Sequence, residues 1–132
     1  MIYLLDTNTC VRYLNGRAPQ IQERLLSVAD ADIAISTITM GEMFYGSSKS
    51  NDPSRSRAKQ DAFFIRFTQL VYDEIVADEF GRIRTYLEKQ GTPIGPYDLQ
   101  IAAVAVVHNL ILVTHNTREF RRIPWLIIED WE

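Results

Sequence analysis

The sequence predicts an α/β fold with a mainly parallel sheet of four to five strands, covered by helices on both faces. Short β-branched apolar runs alternate along the chain with longer helical patterns, which is the order found in parallel sheets. The 132 residues contain 46% hydrophobic and 23% charged side chains, which suits one compact domain spanning residues 1–132. The longest nearly apolar run, Leu99 to Val107, is far shorter than the roughly 20 residues of a membrane helix.

The strand predictions follow the apolar runs in chain order. The run from Ile2 to Leu5 leads directly into Asp6-Thr7-Asn8, which has the composition of a helix cap. The segments from Asp32 to Ser36 and from Leu110 to Thr114 have the same β-branched pattern, bounded by polar turn residues. Two shorter candidate strands complete the predicted sheet: Leu70-Val71 and Leu126 to Ile128.

The spacing of apolar residues between these runs predicts six helices and an exposed loop over residues 47–54. Gly91 occupies the left-handed C-cap position after the fifth helix, and Gly95-Pro96 opens the sixth with proline in its first turn. The sixth helix is apolar almost all round, so we expect it to be buried. The predicted helices are Thr9 to Leu14, Pro19 to Val28, Ile38 to Gly46, Arg55 to Thr68, Ala77 to Gln90 and Pro96 to Asn109.

Acidic and amide side chains are expected to meet at one edge of this sheet. Asp6 follows the first strand, Glu42 lies about one and a half turns into the third helix, and Asn116 follows the strand that ends at Thr114. Asp98 lies in the first turn of the helix that leads into that strand. Ligands of parallel α/β sheets bind beyond the carboxyl ends of the strands, which makes these side chains the candidate catalytic residues. Their structural alternatives are helix caps for the two aspartates and a solvated helix position for the glutamate.

Three carboxylates at one edge raise each other's pKa unless a cation lies among them. Oxygen ligands without histidine or thiolate favour Mg²⁺ or Mn²⁺ over Zn²⁺. Metal-assisted hydrolysis of a phosphodiester is the reaction that suits such a site. Cys10 is the only cysteine, so an internal disulfide is excluded. We predict that it is a small core residue. His108 and His115 are predicted to be a helix end and an exposed residue rather than metal ligands.

Two alternatives to a nuclease remain open. A strand that ends on aspartate with threonine beside it also suits an aspartyl-phosphate phosphatase. Such phosphatases usually carry a second aspartate two residues later, where this chain has Asn8. The other alternative is a non-catalytic RNA-binding or scaffold module, which would be expected to lack the acids that are present here.

Four motifs stand out along the chain: Leu4 to Asn8, Gly41 to Gly46, Gly95 to Ala103 and Thr114 to Phe120. In this order they resemble the signature segments of PIN-domain ribonucleases. The tail from Ile123 to Leu126 and from Glu129 to Trp131 is similar to the end of VapC-type toxins of toxin–antitoxin pairs, which the whole chain resembles.

The resemblance implies a three-layer α/β/α fold and an Mg²⁺-dependent endoribonuclease that accepts Mn²⁺ and acts on tRNA, rRNA or mRNA. It also implies a homodimer held inactive by a cognate VapB-type antitoxin, which binds operator DNA itself and inserts a side chain, often arginine, into the acidic pocket. The first residues lack the basic start and longer apolar run of a secretion signal, so a cytoplasmic protein without membrane attachment is expected.

By position, the resemblance implies that Asp6, Glu42 and Asp98 bind the metal, with Thr7 and Thr114 as supporting hydroxyls. Many PIN domains have a fourth aspartate where this chain has Asn116, a neutral oxygen donor. Glu119 is a candidate to compensate from the following helical turn. Because two ions need more anionic ligands than three, we predict one well-occupied Mg²⁺ site.

The net charge of −3, from 14 basic and 17 acidic residues, supplies no overall field to recruit RNA. Local arginines are therefore the RNA-binding candidates, with a solvated charged face as the alternative. The candidates are Arg12, the cluster Arg118, Arg121 and Arg122, and a second cluster of Arg55, Arg57 and Lys59. A further set of side chains is rich in aromatic residues. Most of them are expected to pack in the core, and the remainder is expected to form a groove for an antitoxin helix. The set consists of Met40, Met43, Phe44, Tyr45, Phe63, Phe64 and Phe67.

Overall fold

The computed structural model describes all 132 residues as five strands, seven α-helices and one short 3₁₀ turn at Asp30–Asp32. The strands are β1 (Tyr3–Leu5), β2 (Ile33–Ser36), β3 (Thr68–Leu70), β4 (Ile111–Val113) and β5 (Ile128–Glu129). The helices are α1 (Thr7–Leu14), α2 (Pro19–Ser27), α3 (Thr37–Ser48), α4 (Pro53–Phe64), α5 (Glu74–Gln90), α6 (Pro96–Val107) and α7 (Thr117–Phe120).

The strands form one sheet in the order β3-β2-β1-β4-β5, and every neighbouring pair is parallel. Side chains alternate along each strand, so one face of the sheet presents Leu4 and Leu112 to a core shared with α5 and α6. The other face presents Leu5 and Val113 to a core shared with α1 to α4. The three-layer α/β/α architecture with a parallel sheet is therefore confirmed.

The chain order places a topological switch point between β1 and β4. From β1 the chain moves outward through β2 to β3, and it then returns to add β4 and β5 on the opposite side. Ligand sites of open parallel sheets lie at this crevice, outside the carboxyl ends of the two strands. Asp6 and Thr114 directly follow those strand ends.

The boundaries around α6 confirm the predictions made from glycine and proline. Gly91 caps α5 with φ of +70°, and Pro96 begins α6 without a side-chain cap. The middle of α6, from Ile101 to Ala105, is completely buried. His108 ends α6, as predicted. Cys10 is also fully buried, which confirms it as a core residue.

The region after α3 differs from the sequence prediction. The predicted helix from Arg55 to Thr68 is instead α4 over Pro53–Phe64, and the short strand lies at Thr68–Leu70 rather than Leu70-Val71. Phe67 keeps the apolar spacing of α4 beyond the true helix end, which hid the boundary. Only Leu70 of this edge strand is buried, so β3 lacks the apolar run that marks the central strands.

Other boundaries differ by one to three residues; α5, for example, begins at Glu74 rather than Ala77. The last strand lies at Ile128–Glu129 rather than Leu126 to Ile128, and α3 continues to Ser48, past the predicted end at Gly46. Most of the aromatic set packs inside the protein, as predicted, because Met43, Phe63, Phe64 and Phe67 are buried in the core beside α1 and α2. No helix of the protein combines the length and apolar character needed to cross a membrane.

Candidate active site at the carboxyl edge of the sheet

Asp6 links the end of β1 to the start of α1. Its Oδ1 accepts a hydrogen bond of 2.9 Å from the Thr9 amide, so the carboxylate is the N-cap of the helix. Asp6 is only 3% exposed. Burial raises the pKa of Asp6, while hydrogen bonds from Thr114 and Thr9 oppose that rise and the negative charge of Glu132 adds to it. The residue therefore caps a helix and also holds a desolvated charge.

Glu42 is held by hydroxyl groups from two helices. The Thr7 hydroxyl donates to Glu42 Oε1 at 2.7 Å and lies 3.1 Å from the Thr39 hydroxyl. Thr39 is fully buried and lies 3.3 Å from the hydroxyl of Ser36, which is the N-cap of α3. This chain of hydroxyls fixes the Glu42 carboxylate at the carboxyl end of β2. Thr7 thus hydrogen bonds to Glu42 at the predicted site, whereas sequence reasoning missed Thr39 and Ser36.

Asp98 lies in the first turn of α6, and its pKa depends on the charges around it. Burial, followed by the negative charges of Asp6, Glu42 and Glu119, raises the pKa of Asp98 to about 6. Every contribution has the same sign, and none of them is a stabilising hydrogen bond. Residues from four separated segments of the chain therefore share one acidic pocket.

Asn116 acts on the pocket through a neighbour. Its side-chain Nδ2 donates a hydrogen bond of 2.9 Å to Glu119 Oε2, and its backbone amide donates to the Thr114 hydroxyl at 3.0 Å. The amide group thus orients the carboxylate of Glu119, whose charge acts on Asp98. In this arrangement Glu119, on α7, adds a fourth negative charge near Asp98, and Asn116 holds its carboxylate by a hydrogen bond.

The acidic pocket is more open than a fully formed metal cage. The one group of three His, Cys, Asp or Glu side chains with ligand atoms within 4.8 Å of one another is His115, Asp130 and Glu132. There His115 Nδ1 lies 3.0 Å from Asp130 Oδ2, and the His115 side chain is exposed, as predicted. Asp6, Glu42 and Asp98 supply only oxygen atoms at wider spacing. This donor set fits Mg²⁺, which retains several bound waters between itself and protein carboxylates.

The arginine candidates have different environments. Arg12 is engaged by the C-terminal residue, because its Nε lies 2.5 Å from Glu132 Oε1. Arg122 donates to the Pro93 carbonyl at 2.8 Å. Arg118 and Arg121 are exposed next to Asn116 and form no salt bridge, so they remain accessible to a polyanion.

The second basic cluster lies elsewhere, around a cavity of about 310 Å³ between α1, α3 and α4. Arg55 and Lys59 line this cavity together with the apolar side chains of Leu14 and Met43. Arg57 is instead paired with Asp61 at 3.0 Å. The structure therefore separates the two basic clusters, and only the one at α7 adjoins the acidic pocket.

Comparisons with known proteins agree with this arrangement. The PIN domain family matches residues 3–126. The tRNA(fMet)-specific endonuclease VapC of Salmonella typhimurium is 43% identical over 98% of this chain and 97% of its own length. Ribonuclease VapC2 of Rickettsia felis is 41% identical over 100% of this chain and 99% of its own length.

Solved structures give the same result. DNA-bound VapBC from Salmonella typhimurium superposes with a TM-score of 0.95 at 42% identity, covering 100% of this chain and 99% of that one. VapBC2 from Rickettsia felis, bound to a fragment of its promoter, gives 0.93 at 40% identity with full coverage of both chains. The chain therefore belongs to the PIN-domain family and, within it, to the VapC group of toxin–antitoxin proteins.

Proposed function

We propose that the protein is a metal-dependent endoribonuclease that hydrolyses RNA phosphodiester bonds as the toxin of a type II toxin–antitoxin pair. The observation that carries this proposal is the gathering of acids at the switch point, where burial together with the negative charges of Asp6, Glu42 and Glu119 raises the pKa of Asp98 to about 6. Like charges held this close in a folded protein are tolerated at neutral pH when a cation joins them. Close relatives named as ribonucleases support the same reading.

The carboxylates of Asp6, Glu42 and Asp98 would hold the cation, with Mg²⁺ preferred and Mn²⁺ as a substitute. A bound Mg²⁺ lowers the pKa of a coordinated water and neutralises charge on the phosphate and the leaving oxygen. The Thr7 hydroxyl keeps Glu42 Oε1 directed into the pocket, and Asn116 does the same for Glu119. Thr114 donates to Asp6 and so favours its ionised form.

RNA would approach over α7, where Arg118 and Arg121 offer unpaired cations beside the pocket. Contacts to phosphate position a strand without reading its sequence, so these arginines contribute affinity rather than specificity. A relative named tRNA(fMet)-specific makes tRNA the first substrate to test. Arg12 contributes less in this account, because Glu132 occupies its guanidinium.

The proposed partners follow from the structural neighbours, which are VapBC complexes. A cognate VapB-type antitoxin would inhibit the enzyme, and operator DNA would be contacted only through that antitoxin. We also propose a homodimer in the cytoplasm. Co-expression with the neighbouring reading frame tests the partner: a stable complex that copurifies and loses RNA cleavage is expected, and an uninhibited toxin would contradict it.

The phosphatase alternative receives less support from the site. Asn8, at the position of the second aspartate, is exposed, and the Asp6 carboxylate is buried and hydrogen bonded to α1. A non-catalytic module has no need of a pocket that holds four mutually repelling acids.

The test is cleavage of purified tRNA by the purified protein in Mg²⁺ or in EDTA, beside Asp6→Asn. Asparagine retains the ability to cap α1 but removes the charge, so this variant is expected to fold and to lose cleavage. Asp78→Asn, an exposed acid on α5, is the matched control and should cleave like the parent. Cleavage that persists in EDTA, or in Asp6→Asn, would contradict the proposal. A trapped aspartyl-phosphate would favour the phosphatase.

A further inference from the structure

A second cavity, of about 570 Å³, lies between α3 and the start of α6. Tyr45 and Tyr97 stand on its two sides and are 65% and 59% exposed. Gln100 and Glu42 also line it. Large aromatic side chains that remain this exposed beside a cavity are typical of ligand-binding surfaces rather than of packing.

The two tyrosines have different surroundings. The Lys49 ammonium lies 4.7 Å from the Tyr45 ring centroid and 3.3 Å from the Tyr45 hydroxyl. Tyr97 takes part in none of the aromatic or cation–π pairs of the protein. Tyr97 therefore offers a free aromatic ring to the cavity, whereas the Tyr45 ring already contacts Lys49, which does not itself line the cavity.

The cavity adjoins the acidic pocket, because the two share Glu42. Glu42 lines the cavity, and its Oε1 is the acceptor for Thr7 in the acidic pocket. Tyr97 directly precedes Asp98, and Tyr45 lies one helical turn beyond Glu42 on the same side of α3. A group held between the tyrosines is therefore adjacent to whatever occupies the acidic pocket.

From this geometry we propose that the cavity is a nucleobase subsite, which holds the base of a nucleotide next to the cleaved phosphodiester. Stacking on tyrosine accepts any base, and the Gln100 amide offers both a donor and an acceptor to a base edge. No cationic side chain is among the lining residues, so a free phosphate is disfavoured there, whereas a neutral base is not. This inference rests on the proposed ribonuclease function.

Gly41 provides a way to fill the cavity without damaging the fold. It lines the cavity within α3, and a Cβ added there meets no atom within 4 Å. Replacing a glycine inside a helix also favours the helical conformation. Gly41→Leu is therefore expected to block the subsite while the protein stays folded. Gly81, inside α5, has the same open surroundings and provides the matched control Gly81→Leu.

The experiment measures kcat/KM for cleavage of a tRNA in Mg²⁺, with the Mn²⁺ affinity and the sedimentation coefficient of each variant as further readouts. Tyr97→Ala is expected to lower kcat/KM by about 5- to 150-fold, which is the usual effect of removing a ring stacked on one base. Tyr97→Phe should restore most of the activity, and Gly41→Leu should lower it while Gly81→Leu does not. Mn²⁺ affinity should be the same in all of them.

Once the cleaved bond is mapped, RNA with an abasic nucleotide on either side of it completes the test. Removing the base that occupies the subsite should reduce cleavage by the parent to the level of Tyr97→Ala, with no further loss in the variant. Unchanged cleavage by Tyr97→Ala and Gly41→Leu would overturn the subsite. If these variants lose a dimer that the parent forms, the cavity contacts a second copy of the chain and the subsite proposal is wrong. If the parent itself cleaves no RNA, the proposed function fails, which is a separate result.

Discussion

Replacing Asp98 by asparagine is expected to stabilise the metal-free protein and to weaken its response to metal. The pKa of Asp98 rises from 3.8 to about 6 on folding. That difference corresponds to an upper bound of about 3 kcal/mol of unfavourable free energy for the ionised group at pH 8. Solvent screening at this half-buried position reduces the expected gain in Asp98→Asn to about 1–2 kcal/mol.

The pH dependence has a definite sign. Because the folded pKa lies above the unfolded value, the folded protein binds more protons than the unfolded chain between pH 4 and 6. The contribution of Asp98 to the free energy of unfolding is therefore lost as pH rises through about 6. The advantage of Asp98→Asn should be largest at pH 8 and should shrink as the pH falls towards 4.

Thermal unfolding in EDTA at pH 8 and at pH 4.5 measures this directly. The expected increase at pH 8 is roughly 4–8 °C for a chain of this size. Adding Mg²⁺ at 100 times its Kd should stabilise the parent by about 2.7 kcal/mol and the variant much less. Asp78→Asn, exposed on α5, is the control for loss of an acid and should stay within about 0.5 kcal/mol of the parent. A destabilised Asp98→Asn in EDTA, or an undiminished response to Mg²⁺, would refute the reasoning.

Four further outcomes are expected. Asn116→Ala, which releases Glu119, should lower cleavage by about 10- to 100-fold, and equal activity would show that the 2.9 Å contact is unimportant. Calorimetric titration should find one well-occupied Mg²⁺ site per chain without RNA, and two ions of similar affinity would show that this prediction is wrong. Thr7→Val removes the hydrogen bond to Glu42 and should weaken Mg²⁺ binding by about tenfold. Cys10→Ser should leave cleavage intact, and a folded but inactive variant would mean that the site is misplaced.

The central strands were predictable from sequence because burial on both faces leaves continuous apolar runs. β1 and β4 lie in the middle of the sheet, so their side chains show no polar alternation. The edge strand β3 exposes Thr68 and Gln69, so it carries no such signal. Its position is set by pairing with β2, which is a tertiary contact. The end of α4 was hidden for a related reason, since Phe67 continues the helical spacing.

The acidic residues of the site were predictable because Asp6 follows a strand, Asp98 begins a helix and Glu42 lies on the helix that follows β2, all at the same edge. Their partners were harder to predict, since contacts such as Arg12 with Glu132 join residues at opposite ends of the chain. The role of Asn116 depends on the direction of one amide group, which no spacing rule fixes. Thr39 carried a weak signal, because it lies three residues before Glu42 on the same face of α3.

The most direct test of the account is the position of Mn²⁺ in a crystal of the protein, located by anomalous scattering. We expect one ion in the pocket between Asp6, Glu42 and Asp98. An ion bound only at His115, Asp130 and Glu132, or no ion in the acidic pocket at millimolar Mn²⁺, would contradict it.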